Sequence, residues 1–282
     1  MMSMANKLES PSAERNRGPI WELVIRDRLL RDVNATDAST TASSVNVLEV
    51  AAGAGVHTQY FTQQLADRKI PVNWQSTDPE TSALKSQEAY IEEIAGITSK
   101  NEGSQPCWRN YETVNFAKPL PLTLDENGIC ETTTESAIED QSIDWIWNIN
   151  MIHISPWTAT QGLMKMAGTK LKPKSGRLIL YGPYRVNGYT VESNLCVTKF
   201  PSHIVVRFRS LSFRFPSFSL LTFLKLIILD RKFEEWLKAK DPSYGVRNLE
   251  DVVAEASKYG LEVEDTIEMP ANNLSVILRK KN

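Results

Sequence analysis

Cysteine is scarce in this 282-residue chain: Cys107, Cys130 and Cys196 are an odd number, and no two of them stand as Cys-x-x-Cys. With only three histidines, His57, His153 and His203, a disulfide framework and a zinc site are both excluded as the organising principle. An excess of charge of either sign is also lacking. The 32 Lys and Arg against 34 Asp and Glu leave a net charge of −2, so no bulk field draws the chain to nucleic acid or to an anionic membrane, and neither partner is expected. The longest apolar run, Phe218 to Leu229, is about half a membrane span and contains Lys225. Residues 1–10 hold no apolar stretch of signal-peptide length, so a soluble, cytoplasmic protein is expected, with residues 1–9 as a disordered tail. What is present, 41% hydrophobic and 23% charged residues, fits one globular domain over residues 10–282. A chain of this length buries roughly three quarters of its surface without staples.

Strands alternate with helices along most of the chain. Pro19 to Leu30 has helical periodicity behind a proline suited to a first turn, and the Ser/Thr/Ala-rich stretch that follows reads as a linker. Val45 to Val50 is a short apolar run ending in a glycine turn, followed by a helix over His57–Leu65. Val72–Ser76 and Pro79–Ala95 repeat the pair, as do Ile143–Asn150 and Thr158–Leu171. Thr98 to Gln141 is poorly patterned and predicts loops around a weak strand near Val114. Arg177–Tyr181 is a further strand, Asn248–Tyr259 a helix, and Leu261–Met269 with Leu274–Lys280 a closing hairpin. This alternation predicts an α/β fold: a doubly wound Rossmann-like sheet, mostly parallel, with an antiparallel C-terminal hairpin strand.

In such a sheet ligands bind beyond the carboxyl ends of the strands. The first such end is Glu49-Val-Ala51-Ala-Gly53-Ala54-Gly55, and Asp78 closes the second strand. Glycines there let a ligand approach the backbone, and a carboxylate at the second strand end can accept both hydroxyls of a ribose. Ala51 and Thr58 occupy places where a dinucleotide fingerprint has glycine, which disfavours a pyrophosphate, and Glu49 would repel one while attracting a cation. A sulfonium nucleoside, with a ribose, no phosphate and a positive charge, meets both conditions. A nicotinamide oxidoreductase ranks far behind.

These residues are similar to the cofactor motifs of class I S-adenosylmethionine-dependent methyltransferases. Further strings in order resemble the methyltransferase-like protein 26 family: Ala13-Glu-Arg-Asn16, Asn150 to Trp157, Tyr181-Gly-Pro-Tyr184, Ser193-Asn194, Asp241-Pro-x-x-Gly245-x-Arg247 and Glu268 to Asn273. The resemblance implies S-adenosyl-L-methionine as cofactor, bound by Glu49, Ala51, Gly53, Ala54, Gly55, Asp78, Asn115, Asn150 and Met151. Asn115 stands where the family is expected to carry aspartate. It implies an acceptor, a small molecule or a protein side chain, held by Glu14, Arg15, Asn16, Trp157, Tyr181, Tyr184, Asn194, Arg247, Asn272 and Asn273. Glu14, Arg15 and Asn16 are expected in a polar loop before the first helix. His153 follows a strand end and is the candidate general base, its ordinary pKa lying near neutrality. Trp157, Tyr181 and Tyr184 could wall the cation with aromatic faces. A methyltransferase is the leading expectation, and a non-catalytic S-adenosylmethionine-binding interaction module is the alternative.

Ser193 to Leu229 lacks any Asp or Glu, and Phe200, Phe208, Phe213, Phe215, Phe218 and Phe223 are six of the nine phenylalanines. Removing Val197 to Lys232 restores the spacing of the family between Ser193-Asn194 and Asp241-Pro242. Valine codons begin GT and a lysine codon can end AG, so the 36-residue block is expected to be a translated, unspliced intron. A lid or partner-binding helix is the other explanation for it.

Overall fold

The computed structural model describes residues 6–31, 44–97, 108–190 and 233–282. Asn194 and the expected insertion at 197–232 lie outside them. The first helix, α1 (Pro11–Ile20), begins behind Ser10 with Pro11 in its first turn and runs on with π-helical turns as Trp21–Leu29. This corrects the expected start at Pro19, which lies inside the helix. Either proline suits a first turn by its fixed φ and missing N–H, and packing of Ala13 and Asn16 against the body extends the helix back to the earlier one. Glu14, Arg15 and Asn16 are therefore helical, not in a loop.

β1 (Val45–Val50), α2 (Val56–Ala66), β2 (Val72–Asp78) and α3 (Thr81–Ile94) follow as expected. The poorly patterned middle supplies β3 (Val114–Phe116), small hairpins and α4 (Thr132–Ala137). Then come β4 (Trp145–Ile149), α5 (Trp157–Lys170), β5 (Arg177–Val186), α6 (233–240), α7 (Leu249–Ser257) and the hairpin β6 (Leu261–Met269) and β7 (Asn273–Lys280). The sheet order is β6-β7-β5-β4-β1-β2-β3, with Arg109–Tyr111 and Gly96–Ile97 continuing beyond β3. β1 to β5 are mutually parallel, and β7 runs antiparallel to both β5 and β6.

Both faces of the sheet are buried, which is why its strands read as unbroken apolar runs. Val47, Trp74, Trp147 and Ile179 pack on one side with Phe61 and Leu65 of α2, Ile91 of α3 and the Ile20–Leu29 side chains. Leu48, Val50, Ile146 and Leu180 face the other way, onto Leu163 and Ala167 of α5 and Val252 of α7. β5 is five residues longer than the expected Arg177–Tyr181, because pairing with β7 continues through Pro183↔Asn273. Tyr184 is consequently a strand residue sealed in the core.

The chain order reverses between β1 and β4. Successive crossovers run outward from β1 in opposite directions, leaving a crevice at their carboxyl ends.

Candidate functional site

The β1–α2 turn is built around positive φ. Ala51 (+55°), Gly53 (+57°) and Gly55 (+98°) turn the chain within five residues, and the last of them caps α2. A Cβ placed at Gly53 would meet nothing within 4 Å, so this residue faces open space. Gly55 differs: a Cβ there would lie 3.0 Å from Gln87 Cα, so its role is close packing against α3. Ala54 O accepts Ser86 Oγ at 2.7 Å, and Gly53 O accepts Gln87 Nε2 at 3.1 Å. Asp78, at the end of β2 and 6% exposed, accepts the Gly53 N–H at 2.9 Å through Oδ2 and the Glu80 N–H at 3.0 Å through Oδ1. Burial raises its carboxyl above the ordinary value, and the two amide hydrogen bonds oppose that shift.

Two expected cofactor residues stand elsewhere. Asn115 pairs across the sheet with Asn73, its Nδ2 donating to Asn73 Oδ1 at 3.1 Å, while Asn73 Nδ2 donates to Asn46 Oδ1 at 2.8 Å. Asn73 precedes Asp78 by five residues, or about 16 Å of strand. Asn115 thus belongs to an asparagine ladder near the amino end of the sheet. The segment level with Asp78 is Leu120–Pro121.

Glu49 is buried beneath the glycine turn, not open to it. Its Oε2 accepts Thr58 Oγ1 and, at 3.1 Å, Trp74 Nε1, tying β1 to α2 and β2. Desolvation pushes its pKa up to about 7. In the unfolded chain it titrates near the ordinary 4.5, so between these values the folded state binds more protons, and stability falls as pH rises from about 4.5 to about 7. Glu49→Gln is expected to flatten that slope: little changed at pH 5, more stable than wild type at pH 8. Thermal melts across pH check it, and an unchanged slope would show that Glu49 ionises freely in the fold.

Beside the turn, β4 ends in Asn148, Ile149 and Asn150, the last in the left-handed region at φ +66° with its N–H on Tyr181 O at 2.8 Å. Met151 is half-buried, its Sδ accepting Asn148 Nδ2 at 3.4 Å. Asn148 Oδ1, which the sequence did not single out, is buried with no partner among the described residues.

Next to this end lies a cavity of about 590 Å³ under α1. It collects Arg15, Asn16, Asn150, His153, Tyr181, Tyr184, Asn272 and Asn273, eight of the residues singled out from sequence and spread over nearly its whole length. Asn16 Oδ1 pairs with His57 Nε2 at 2.7 Å and its side chain also bonds the Tyr181 hydroxyl, which fastens α1 to α2 and β5. His57 went unrecognised because its partner is 41 residues away. Phe233 and Trp236 of α6, stacked at 5.8 Å, also line the cavity and were missed: two aromatics in an isolated helical turn carry no signal of a site. Glu14 does not join them; it is exposed and paired with Arg17 at 2.6 Å. Trp157 and Arg247 line a second recess, of about 490 Å³, that shares no residue with the first. Arg247 acts as a brace there, Nη2 donating to Ser155 O at 2.8 Å and Ser243 O at 2.7 Å, with its guanidinium over the Trp157 ring. Of the three aromatics expected together, Tyr181 and Tyr184 line the first cavity and Trp157 the second.

His153 is 1% exposed, and its ring sits against Gly182 and edge-on to Tyr184 at 4.8 Å. The Arg247 N–H lies 3.4 Å from Nδ1. Desolvation, reinforced by the Arg247 charge, lowers its pKa to about 3. Nε2 is sealed against Gly182 rather than open to the cavity, so the expected general base is not exposed to a substrate. Neither His153 Nε2 nor the Tyr184 hydroxyl has a partner among the described residues.

The family described as "Protein of unknown function (DUF938)" matches residues 7–200 and 229–280, passing over 201–228. Among solved structures, DszA carbon methyltransferase is similar at a TM-score of 0.52 and 13% identity, covering 97% of this chain and 55% of that one. This chain thus spans about half the length of that relative. LepI in complex with SAM (TM-score 0.48, 9% identity, 90% and 47% covered) and an O-methyltransferase family 2 protein from Planctomyces limnophilus in complex with apigenin (0.48, 15%, 95% and 59%) are also similar. The likeness to DszA is one of fold, a Rossmann-like methyltransferase sheet ending in an antiparallel hairpin.

Proposed function

The chain belongs to the DUF938 family of proteins of unknown function, and from the geometry of its site we propose that it is an S-adenosylmethionine-dependent methyltransferase whose acceptor lies in the cavity under α1. The observation that carries this is the joining of three features at one end of the sheet. These are a glycine turn facing open space at Gly53, a carboxylate at Asp78 tied to that turn, and an open-mouthed cavity lined by Asn150, one residue beyond β4. The donor set fits a ribose-bearing cofactor without phosphate. Asp78 keeps a lone pair on each oxygen for a vicinal diol. When bound, S-adenosylmethionine supplies an electrophilic methyl group on a sulfonium sulfur. Asn150 and Tyr181, joined by a backbone hydrogen bond, line the cavity together with Arg15, Asn16 and Pro19 of α1. The resemblance to the methyltransferase-like protein 26 family belongs to the same proposal. Calorimetry with S-adenosylmethionine, S-adenosylhomocysteine and NAD tests it: the first two are expected to bind and NAD is not. Binding of NAD without S-adenosylhomocysteine would end it.

The second reading, a non-catalytic binding module, is favoured by one observation: among the described residues that line the cavity there is no carboxylate, and the imidazole of His153 has its Nε2 sealed.

We also propose that residues 197–232 are foreign to the domain; the family match, which passes over 201–228, supports this. A variant lacking 197–232 is expected to bind S-adenosylhomocysteine at least as tightly as the full chain and to be more soluble. Mature transcripts are expected to lack the corresponding 108 nucleotides. A variant that unfolds, alongside messages that retain the block, points to an integral lid.

A further inference from the structure

The N-terminal helix changes character at Gly18 and Pro19. Beyond them Ile20, Trp21, Val24, Ile25, Leu29 and Leu30 are each 3% exposed or less and join the core with Phe61 and Leu65 of α2. Before them, the only buried side chains among residues 6–17 are Ala13 and Asn16. Polar contacts near the surface hold the rest. The Leu8 N–H donates to Ser86 Oγ at 2.9 Å, the Tyr90 hydroxyl donates to Leu8 O at 3.3 Å, Lys7 pairs with Glu93, and Arg17 lies over the Tyr60 ring. Exposed contacts contribute little each, and a segment with few apolar contacts opens at low free energy. The junction is also built to bend. Pro19 stands inside the helix, where it has no N–H for the Arg15 carbonyl and its ring crowds that group. Gly18 has nothing within 4 Å of where a Cβ would stand, so no packing stiffens it. At Trp21 the hydrogen bonding passes to π spacing. A glycine, a proline and a π turn each bend helices, and here they follow one another directly.

The weakly held part completes the cavity, to which it contributes Ser12, Arg15 and Asn16. Asn16 is also its inner fastening. Its Oδ1 lies 2.7 Å from His57 Nε2 of α2, and its side chain bonds the Tyr181 hydroxyl of β5, itself a lining residue. At the other end, Ser86 Oγ, which receives the Leu8 N–H, donates to Ala54 O of the glycine turn at 2.7 Å. Leu8 and Asn16 thus bracket that turn, one from α3 and the other from α2 and β5. We propose that residues 7–17 are a lid, hinged at Gly18–Pro19 and latched by Asn16, that swings off the cavity and the adjoining turn while Ile20–Leu30 stays packed. Opening withdraws three lining side chains together and admits a ligand. A bound ligand that touches them favours the closed state by the contacts it makes only there. That this ligand is the methyl donor rests on the methyltransferase reading above; the hinge does not.

Amide hydrogen exchange on the full chain, read by mass spectrometry, tests it. Without ligand, the amides of Glu14–Arg17 are expected to exchange about 100-fold faster, relative to their intrinsic rates, than those of Val24–Leu29. Asn16→Ala should speed the first group by about a further tenfold, as the loss of a buried hydrogen bond allows, and leave the second unchanged. Should that variant not fold, Tyr181→Phe, which removes the hydroxyl and keeps the ring, takes its place. Pro19→Ala, which restores the missing N–H at the hinge, should slow the first group. Equal exchange across Glu14–Leu29, or a latch variant that speeds both groups alike, would mean one cooperative helix and overturn the lid. Saturating S-adenosylhomocysteine is expected to slow Glu14–Arg17 by about tenfold. If it binds and leaves them unchanged, the lid does not close on the site; the proposal is overturned and the methyltransferase reading stands. If it does not bind, that reading falls, and the contrast in the free chain still decides the hinge.

Discussion

Gly53→Val is expected to raise the dissociation constant for S-adenosylhomocysteine by about 10- to 100-fold, while the domain stays folded. The open space at this residue is where the proposed cofactor meets backbone, and two added methyl groups there compete with it directly. Overpacking of a fitted site costs about 1–3 kcal/mol, and each ~1.4 kcal/mol is tenfold in affinity. The backbone contributes a separate loss. At φ +57° a side chain with a Cβ is strained by roughly 1–2 kcal/mol, an effect on stability rather than on affinity. Gly53→Ala separates the two, since it carries nearly the same backbone strain with less volume. Its melting point should fall almost as far as that of Gly53→Val, and its affinity for S-adenosylhomocysteine should fall much less. Wild-type affinity in a folded Gly53→Val would falsify the placement of the cofactor over the turn.

Gly182→Ala is expected to act on the other half of the site, destabilising the domain by about 1–3 kcal/mol, within the range for an overpacked core, with S-adenosylhomocysteine affinity nearly unchanged. A Cβ at Gly182 would come 2.6 Å from His153 Nε2 and 2.7 Å from its Cδ2, well inside van der Waals contact. The ring has no room to retreat. Tyr184 stands edge-on to it at 4.8 Å, and the Arg247 N–H holds Nδ1 from behind. The imidazole must tilt, and Tyr184 must give way with it. Thermal melts measured beside calorimetry decide the matter: an unchanged melting point would mean that the ring has room to retreat.

Several parts of this molecule were legible in the sequence because they are local. The apolar run Val45–Val50, the glycines behind it and the acid closing Val72–Asp78 specify a strand, a tight turn and a strand end from neighbouring residues alone. The closing hairpin was legible for the same reason, its two runs being separated by a few residues. The positions that line the cavity were largely named in advance through resemblance of short strings, yet nothing in those strings said that Arg15, His153, Tyr184 and Asn273 enclose one space. Trp157 and Arg247, named on the same grounds, belong to a different recess.

What the tertiary structure alone decided is lateral and electrostatic. Which end of the sheet Asn115 occupies depends on its pairing with Asn73, a choice made by hydrogen bonds between segments 42 residues apart. Whether α1 begins at Pro11 or Pro19 depends on what Ala13 and Asn16 pack against, since both prolines suit a first turn. Glu49 and His153 are the sharpest cases. As letters they are a carboxylate that could draw a cation and an imidazole that could take a proton. Burial raises the first to about 7 and lowers the second to about 3. The state of an ionisable group is set by the water it loses and the partners it gains, and both are properties of the folded chain.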